Sequence, residues 1–227
     1  MHQCWGKLLF IHWAIDADLL RPLIPAALSI DTFDGQAWIG VVPFTMWDIR
    51  ASFLPPIPGA RAFHELNVRT YVHYQGLPGV WFFSLDAANK LAVWSARQFY
   101  YLPYFNAEMS LQQEGSTIRY SSIREDPQGA AAALKAAWTI GEPLAQAQPG
   151  SIEFFLTERY CLYSHHRDQL YRSRIFHPSW PLRSATLDNY QSTMIESQGI
   201  PTPGGTPLLY YAESIAVDIW PLRQAEQ

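Results

Sequence analysis

Nine residues, Glu65-Leu-Asn-Val-Arg-Thr-Tyr-Val-His73, alternate side-chain classes without a break. A helix cannot sort such a pattern, because a period of 3.6 spreads both classes around its axis; a strand sorts it onto two faces. Glu65, Asn67, Arg69, Tyr71 and His73 fall on one face, and Leu66, Val68, Thr70 and Val72 on the other. Same-face neighbours stand ~6.7 Å apart, so Glu65 and Arg69 lie about 13 Å from each other, too far for a direct ion pair. The ordinary reading of a polar strand face is solvent. This one holds no Lys, Gln or Ser, and Tyr71 gives it an apolar body. Burying either charge unpaired costs on the order of several kcal/mol. The alternation therefore predicts an inward ladder in which Glu65, Asn67 and Arg69 serve a ligand, a water, or a network around one.

Strand signals run through the rest of the chain. Lys7–Trp13, 37–46, 65–74, 80–86, 116–124, 152–161 and 209–220 are rich in β-branched and aromatic residues and bounded by turn formers. On 80–86 the pattern sets Ser84 and Asp86 opposite Trp81, Phe83 and Leu85, a face that extends the polar wall or, the favoured reading for Asp86, caps the helix that follows. Pro/Gly-rich breaks at 54–59, 76–79, 141–150 and 199–207 are short and read as loops. Three helices are expected: Ala17–Ile24 capped by Asp16, Lys90–Tyr100 capped by Asn89 and stopped by Pro103, and Ser184 to about Gln198 with Gly199 beyond its end. The alanines of 130–137 favour helix, but Ala132, Leu134, Ala136, Trp138 and Ile140 alternate as a strand would, and strand is the expectation. The fold class that follows is α+β, mostly β: one domain over 1–227, built as a cone- or barrel-like antiparallel sheet with a few short helices.

Composition narrows the function classes. The net charge of −4, with only Lys7, Lys90 and Lys135 as lysines, offers no footprint for nucleic acid or a membrane surface. Cys4 and Cys161 make no disulfide framework, and no metal spacing joins them to histidines; His165 and His166, adjacent on a strand, point apart. His64-Glu-Leu-Asn-Val68 begins like a zinc-helix motif and lacks its second histidine. No metal and no cofactor is expected. The apolar run Leu8–Ile11 is too short for a span and has no cleavage site after it, so a cytoplasmic location is the default. The 15% aromatic content suits a bulky core or an aromatic-lined cavity for a small molecule; a homo-oligomer stays open.

Two segments resemble the acetoacetate decarboxylases: IDADLLRPLIPAALSID at 15–31, and ARQFYYLPYFNA at 96–107, where Arg97 and Pro103 match that family's arginine and proline. A closer resemblance, to the uncharacterised YqjF-like family of the acetoacetate decarboxylase-like fold, spreads over FHELNVRTYV (63–72), FFSLDA (82–87), ARQFYYLPY (96–104), FLTERYCLY (155–163) and HPSWPL (177–182). It implies a single cone- or barrel-like domain around an internal cavity. The decarboxylase mechanism needs a lysine amine that forms a Schiff base. The positions matching that family's paired lysines are Tyr104 and Phe105, its active-site arginine falls on Gly6, one of its acidic residues matches Glu65, and another falls near Gly40. A phenol forms no imine. Residues 96–107 read as a helix-to-loop element that lines the cavity with aromatic rings.

The favoured reading is a binding protein for a small carboxylate- or carbonyl-containing molecule, with Glu65, Asn67, Arg69, Tyr71, Arg97 and Tyr104 as ligand-contact candidates. Arg97 also has a structural reading, tying its helix to a carboxylate or carbonyl. A lysine-independent lyase or hydrolase on a keto acid-like substrate would use Glu65 as acid/base and Tyr104 as hydrogen-bond donor, with Arg69 or Arg97 holding a carboxylate. Other readings keep Schiff-base chemistry through Lys7, or make the chain a protein-interaction module. Arg159 is expected as an ion-pair partner and His177 as a loop anchor.

Overall fold

The computed structural model describes residues 1–50 and 62–225; the break at 54–59 lies outside them. Among the described residues thirteen strands form one sheet: β1 (His2–Ile15), β2 (Ser29–Ile30), β3 (Ala37–Arg50), β4 (Ala62–Tyr74), β5 (Leu77–Ala87), β6 (Tyr104–Glu114), β7 (Thr117–Arg124), β8 (Ala133–Pro143), β9 (Cys161–His166), β10 (Gln169–Phe176), β11 (Leu182–Ser192), β12 (Leu208–Ile219) and β13 (Arg223–Gln224). The helices are α1 (Ala17–Leu20), α2 (Lys90–Tyr100) and α3 (Ile152–Thr157).

The sheet closes on itself twice. One ring runs β5-β6-β7-β8-β11-β12-β1-β3-β4 and back to β5; a second leaves β5 through β9 and β10 and rejoins at β12. The strands β12, β1, β3, β4 and β5 are thus a wall common to both rings. Alternation along the wall sends one set of side chains to each side. Leu66, Val68 and Val72 join the core beneath β7 and β8, whereas Phe44, Tyr71 and Leu85 join the one beneath β9, β10, α2 and α3. The pairings are antiparallel except β5 with β6 and β5 with β9. A parallel neighbour needs a crossover, and α2 provides the one from β5 to β6.

Several elements form as local chemistry predicts. Asn89 Oδ1 accepts from the amides of Leu91 and Ala92, so α2 begins where expected; Tyr101, in the left-handed region at φ 52°, ends it. Asp16 caps α1, and Pro22 turns the next three residues into a 3-10 turn. Ala132, Leu134, Ala136 and Trp138 are buried in alternation, and residues from Ala133 on are strand.

Four expectations fail. The run 152–161 is not a strand: Ser151 Oγ caps α3 by accepting from Phe154 N, and β9 starts only at Cys161. A short apolar run fits either element, and the cap decides. The helix expected over 184–198 is strand β11, because both β8 and β12 offer it ladders; only Glu196–Gln198 is helical, with Gly199 at φ 76° ending it. Weak propensity yields to two open edges. On β5 a register shift opposite Val68/Arg69 breaks the simple alternation, so Phe82 and Leu85 share the α2 side and Phe83 packs with Trp81 on the other. Asp86 caps nothing; it is buried against Arg124, whose Nη2 donates to Oδ1 at 2.6 Å and Nε to Oδ2 at 3.0 Å.

Candidate functional site

A cavity of about 290 Å³ lies on the α2 side of the wall. Leu91 and Phe99 of α2 line it and are 53% and 62% exposed, so it opens beside that helix. Its walls are mostly apolar: Trp5, Phe44, Phe63, Phe82, Leu162 and Trp180 come from five strands and a loop. Polar groups enter chiefly along one line. β4 turns Glu65, Asn67 and Arg69 inward while Leu66 and Val68 pack on the opposite side, and Tyr104, the first residue of β6, faces Glu65.

Glu65 is 3% exposed, and Tyr104 Oη donates to its Oε2 at 2.8 Å. Burial lifts its carboxyl to about 8, the Tyr104 hydrogen bond pulling the other way and the Asp86 charge adding to the rise. At neutral pH Glu65 is therefore mostly protonated and can donate. Burial, the Glu65 charge and the hydrogen bond to it keep Tyr104 well above its ordinary value, so it stays a phenol. Asn67 is 4% exposed, and its Oδ1 has no partner among the described residues.

Arg69 is the cation of the wall. Its Nη2 donates to the Leu156 carbonyl at 3.3 Å and to Tyr71 Oη at 3.5 Å, its Cζ lies 5.2 Å from the Phe10 ring centre, and its Nε has no partner among the described residues. Among the described residues no carboxylate comes within ion-pair distance of it. Behind it, fully buried His12 meets Tyr71 Oη through Nε2 at 2.6 Å, and Tyr71 donates to Leu156 O at 2.7 Å. Burial, with Arg69 beside it, holds His12 well below the usual imidazole range, so it is neutral. The region around Arg69 carries positive charge and no described counter-ion.

Two ligand-contact candidates sit elsewhere. Tyr71 does not line the cavity; its hydroxyl is used by His12, Arg69 and Leu156. Arg97 is turned away, its Nη2 at 2.7 Å from Asp126 Oδ2 and its Nε donating to Tyr104 O at 2.7 Å; it anchors the strand end that carries Tyr104. Arg159 pairs with Asp31 at 2.5 Å, and His177 Nδ1 meets the Pro178 carbonyl at 2.8 Å.

Lys7 misses the cavity for a backbone reason. Met1, Gln3 and Trp5 line it by strand alternation, and Lys7 would be next. The pairing of β1 with β3 shifts register after Gly6, and Lys7 adopts φ 49°, so Leu8 takes the inward place and the Lys7 ammonium pairs with Glu213. A Cβ on Gly6 would come within 2.3 Å of the Glu213 carbonyl, so the bend needs glycine there. Lys90 and Lys135 are exposed and line nothing here.

Sequence reasoning missed Gln3, a polar group on the cavity wall that is 2% exposed, and His12. Gln3 was available from the alternation of residues 1, 3 and 5; His12 had no local signal, since its role depends on Tyr71 across β3. It also missed a grouping: β1 and β3 bring His2, Cys4 and Asp48 together, with donor atoms within 4.8 Å of one another and half-buried. His2 Nδ1 meets Asp218 at 3.0 Å, and Arg50 lies 3.5 Å from Asp48, a competing partner for that carboxylate. No helix among the described residues is long and apolar enough to cross a membrane.

Residues 2–216 match the DUF2071 family, described as an uncharacterized conserved protein. The chain is 46% identical over 225 residues to the uncharacterized protein YqjF of Bacillus subtilis (strain 168), covering 99% of this chain and 92% of that protein. Its fold is similar to that of the enduracididine biosynthesis enzyme MppR (TM-score 0.69, 13% identity, 99% of this chain and 87% of that one). It is also similar to an acetoacetate decarboxylase-like enzyme from Sphingomonas wittichii RW1 (TM-score 0.63, 12% identity, 100% and 93%). A third likeness is to acetoacetate decarboxylase from Legionella pneumophila (TM-score 0.60, 13% identity, 99% and 87%).

Proposed function

The chain belongs to the DUF2071 family, on the acetoacetate decarboxylase-like fold, and from that premise we propose that it binds a small carboxylate- or carbonyl-containing molecule in the cavity beside α2. The observation that carries this reading is Arg69, a guanidinium on an apolar cavity wall with no described carboxylate beside it. A cation so placed costs folding free energy unless an anion joins it. A ligand carboxylate supplies that anion. Glu65, protonated, and Asn67 donate to a neighbouring oxygen of the ligand. The MppR structure with bound pyruvate is of a protein sharing the fold at 13% identity, and a keto acid has the groups this wall asks for.

This chemistry runs without a Schiff-base lysine: Tyr104 and Phe105 stand where the decarboxylase pattern has its pair, and no described lysine lines the cavity. A second reading, a lysine-independent enzyme on a keto acid-like substrate, is favoured by one observation, the Glu65 carboxyl poised at about 8. An acid that titrates near working pH suits general acid–base catalysis, with Tyr104 as its hydrogen-bond donor.

Thermal unfolding with millimolar monocarboxylates and keto acids tests the binding reading. A ligand held only by the folded state raises the midpoint. The expected result is a rise that Arg69→Gln abolishes while the variant remains folded; equal shifts in both proteins, or none in either, would overturn it.

A further inference from the structure

The cavity has room for far more than a three-carbon acid, and the surplus is apolar. A volume of about 290 Å³ corresponds to on the order of ten water-sized units, so it accommodates roughly ten non-hydrogen atoms. Beyond the line of Glu65, Asn67, Arg69 and Tyr104, and apart from Gln3 and Ser95, the surfaces are mostly rings and branched chains: Trp5 and Trp180 with centroids 6.4 Å apart, Phe44 5.4 Å from Trp5, then Phe82 and Leu162. A short polar acid at Arg69 would leave these surfaces facing trapped water. An apolar body would displace it and bring dispersion contacts on every side.

Resting on the reading above, we infer that the ligand is a monocarboxylic acid with an alkyl or aryl body, its carboxylate at Arg69 and its body among Trp5, Phe44, Phe82 and Trp180. The head is singly charged, because Arg69 is the one side-chain cation among the described lining residues and a second carboxylate would find no further guanidinium or lysine ammonium there. The body enters beside α2, where Leu91 and Phe99 give the mouth an apolar rim.

The test is a calorimetric titration at pH 6.5 with straight-chain monocarboxylates of two to twelve carbons, alongside pyruvate. Each methylene buried should tighten binding by about fourfold, until the cavity is full at about seven to ten carbons, after which affinity falls. The primary amide of the best acid should bind at least tenfold more weakly. Ala96→Leu fills space from α2 at a half-buried position, and should move the optimum to a shorter chain by about two carbons. Affinity that is flat along the series, or highest for pyruvate, overturns this inference and leaves carboxylate binding at Arg69 standing. Absence of binding by every acid overturns both. An optimum unmoved by Ala96→Leu, in a variant with the wild-type circular dichroism spectrum, places the body elsewhere and overturns the inference as well.

Discussion

Two arginines pack against opposite sides of the same wall and meet opposite fates. Arg124, on the β7 side, is 2% exposed in its side chain and grips fully buried Asp86 with two nitrogens, a third donating to the Ala130 carbonyl at 3.1 Å. Arg69, on the α2 side, has a carbonyl, a phenol and an aromatic face, and no described carboxylate. Arg124 is buried and Arg69 half-buried, and only Arg124 meets a carboxylate among the described residues. The first arrangement is what a fold does to hold a strand end in place. The second is what remains when part of the partner arrives from outside.

The largest effect expected follows from the complete pair. Arg124→Ala leaves Asp86 buried without a partner, and loss of one member of such a pair costs about 3–5 kcal/mol. Urea denaturation of Arg124→Ala and Arg69→Gln, with no ligand added, breaks or sharpens the contrast: Arg124→Ala should lose several kcal/mol and Arg69→Gln less than about 1. Equal losses would mean that Arg69 is as fully compensated by the fold as Arg124.

Next is Glu65, which shares a strand face with Arg69 and is held neutral rather than ionised. Its folded carboxyl is raised from 4.5 to about 8, so the folded state keeps a proton that the unfolded chain releases. That contribution is complete below about pH 4.5 and is lost as pH rises to 8; stability therefore falls across this window. Glu65→Gln keeps an acceptor for Tyr104 and cannot ionise. It should gain on the wild type as pH rises from 5 to 8, by on the order of a few kcal/mol. His12 titrates in both proteins and cancels in the difference. Parallel pH profiles would show that Glu65 is ionised in the fold, and would remove its role as a donor.

How much of this was legible follows the range of each signal. The inward ladder Glu65-Asn67-Arg69 was readable because alternation on one strand is local, and so was α2, whose cap and stop lie within three residues of its ends. Strand β11 was not, because what decides it is hydrogen bonding to β8 and β12, far away in the chain. Asp86 looked like a cap because a helix follows it; its partner Arg124 lies 38 positions on. Lys7 shows where alternation stops being a guide: the pattern alone would put it inward, and its own left-handed backbone after Gly6 turns it out.

Arg97 lies between the two extremes. Its pair with Asp126 has one member 25% exposed and the other 2%, and its Nε also holds the Tyr104 carbonyl. Arg97→Ala should cost about 1.5–3 kcal/mol, the range of a charge-assisted hydrogen bond. If the carboxylate-induced shift were lost while stability held, Arg97 would be a ligand group rather than an anchor.

The smallest effect belongs to Lys7. Its pair with Glu213 is solvent-facing, with side-chain exposures of 31% and 56%, and exposed pairs contribute about 0–1 kcal/mol. The left-handed backbone at this position penalises alanine as it does lysine, so Lys7→Ala leaves that strain unchanged. A midpoint within a degree or two of the wild type is expected. The same variant closes the Schiff-base question. An imine needs an amine within reach of a bound carbonyl, and the Lys7 side chain is paired with Glu213 instead. The backbone bend points it away from the cavity, so that requirement fails. Wild-type protein incubated with acetoacetate and borohydride should keep its mass, and no acetone should accumulate. A covalent adduct that disappears in Lys7→Ala would show that Lys7 swings inward, and the lysine-free account of this cavity would fall with it.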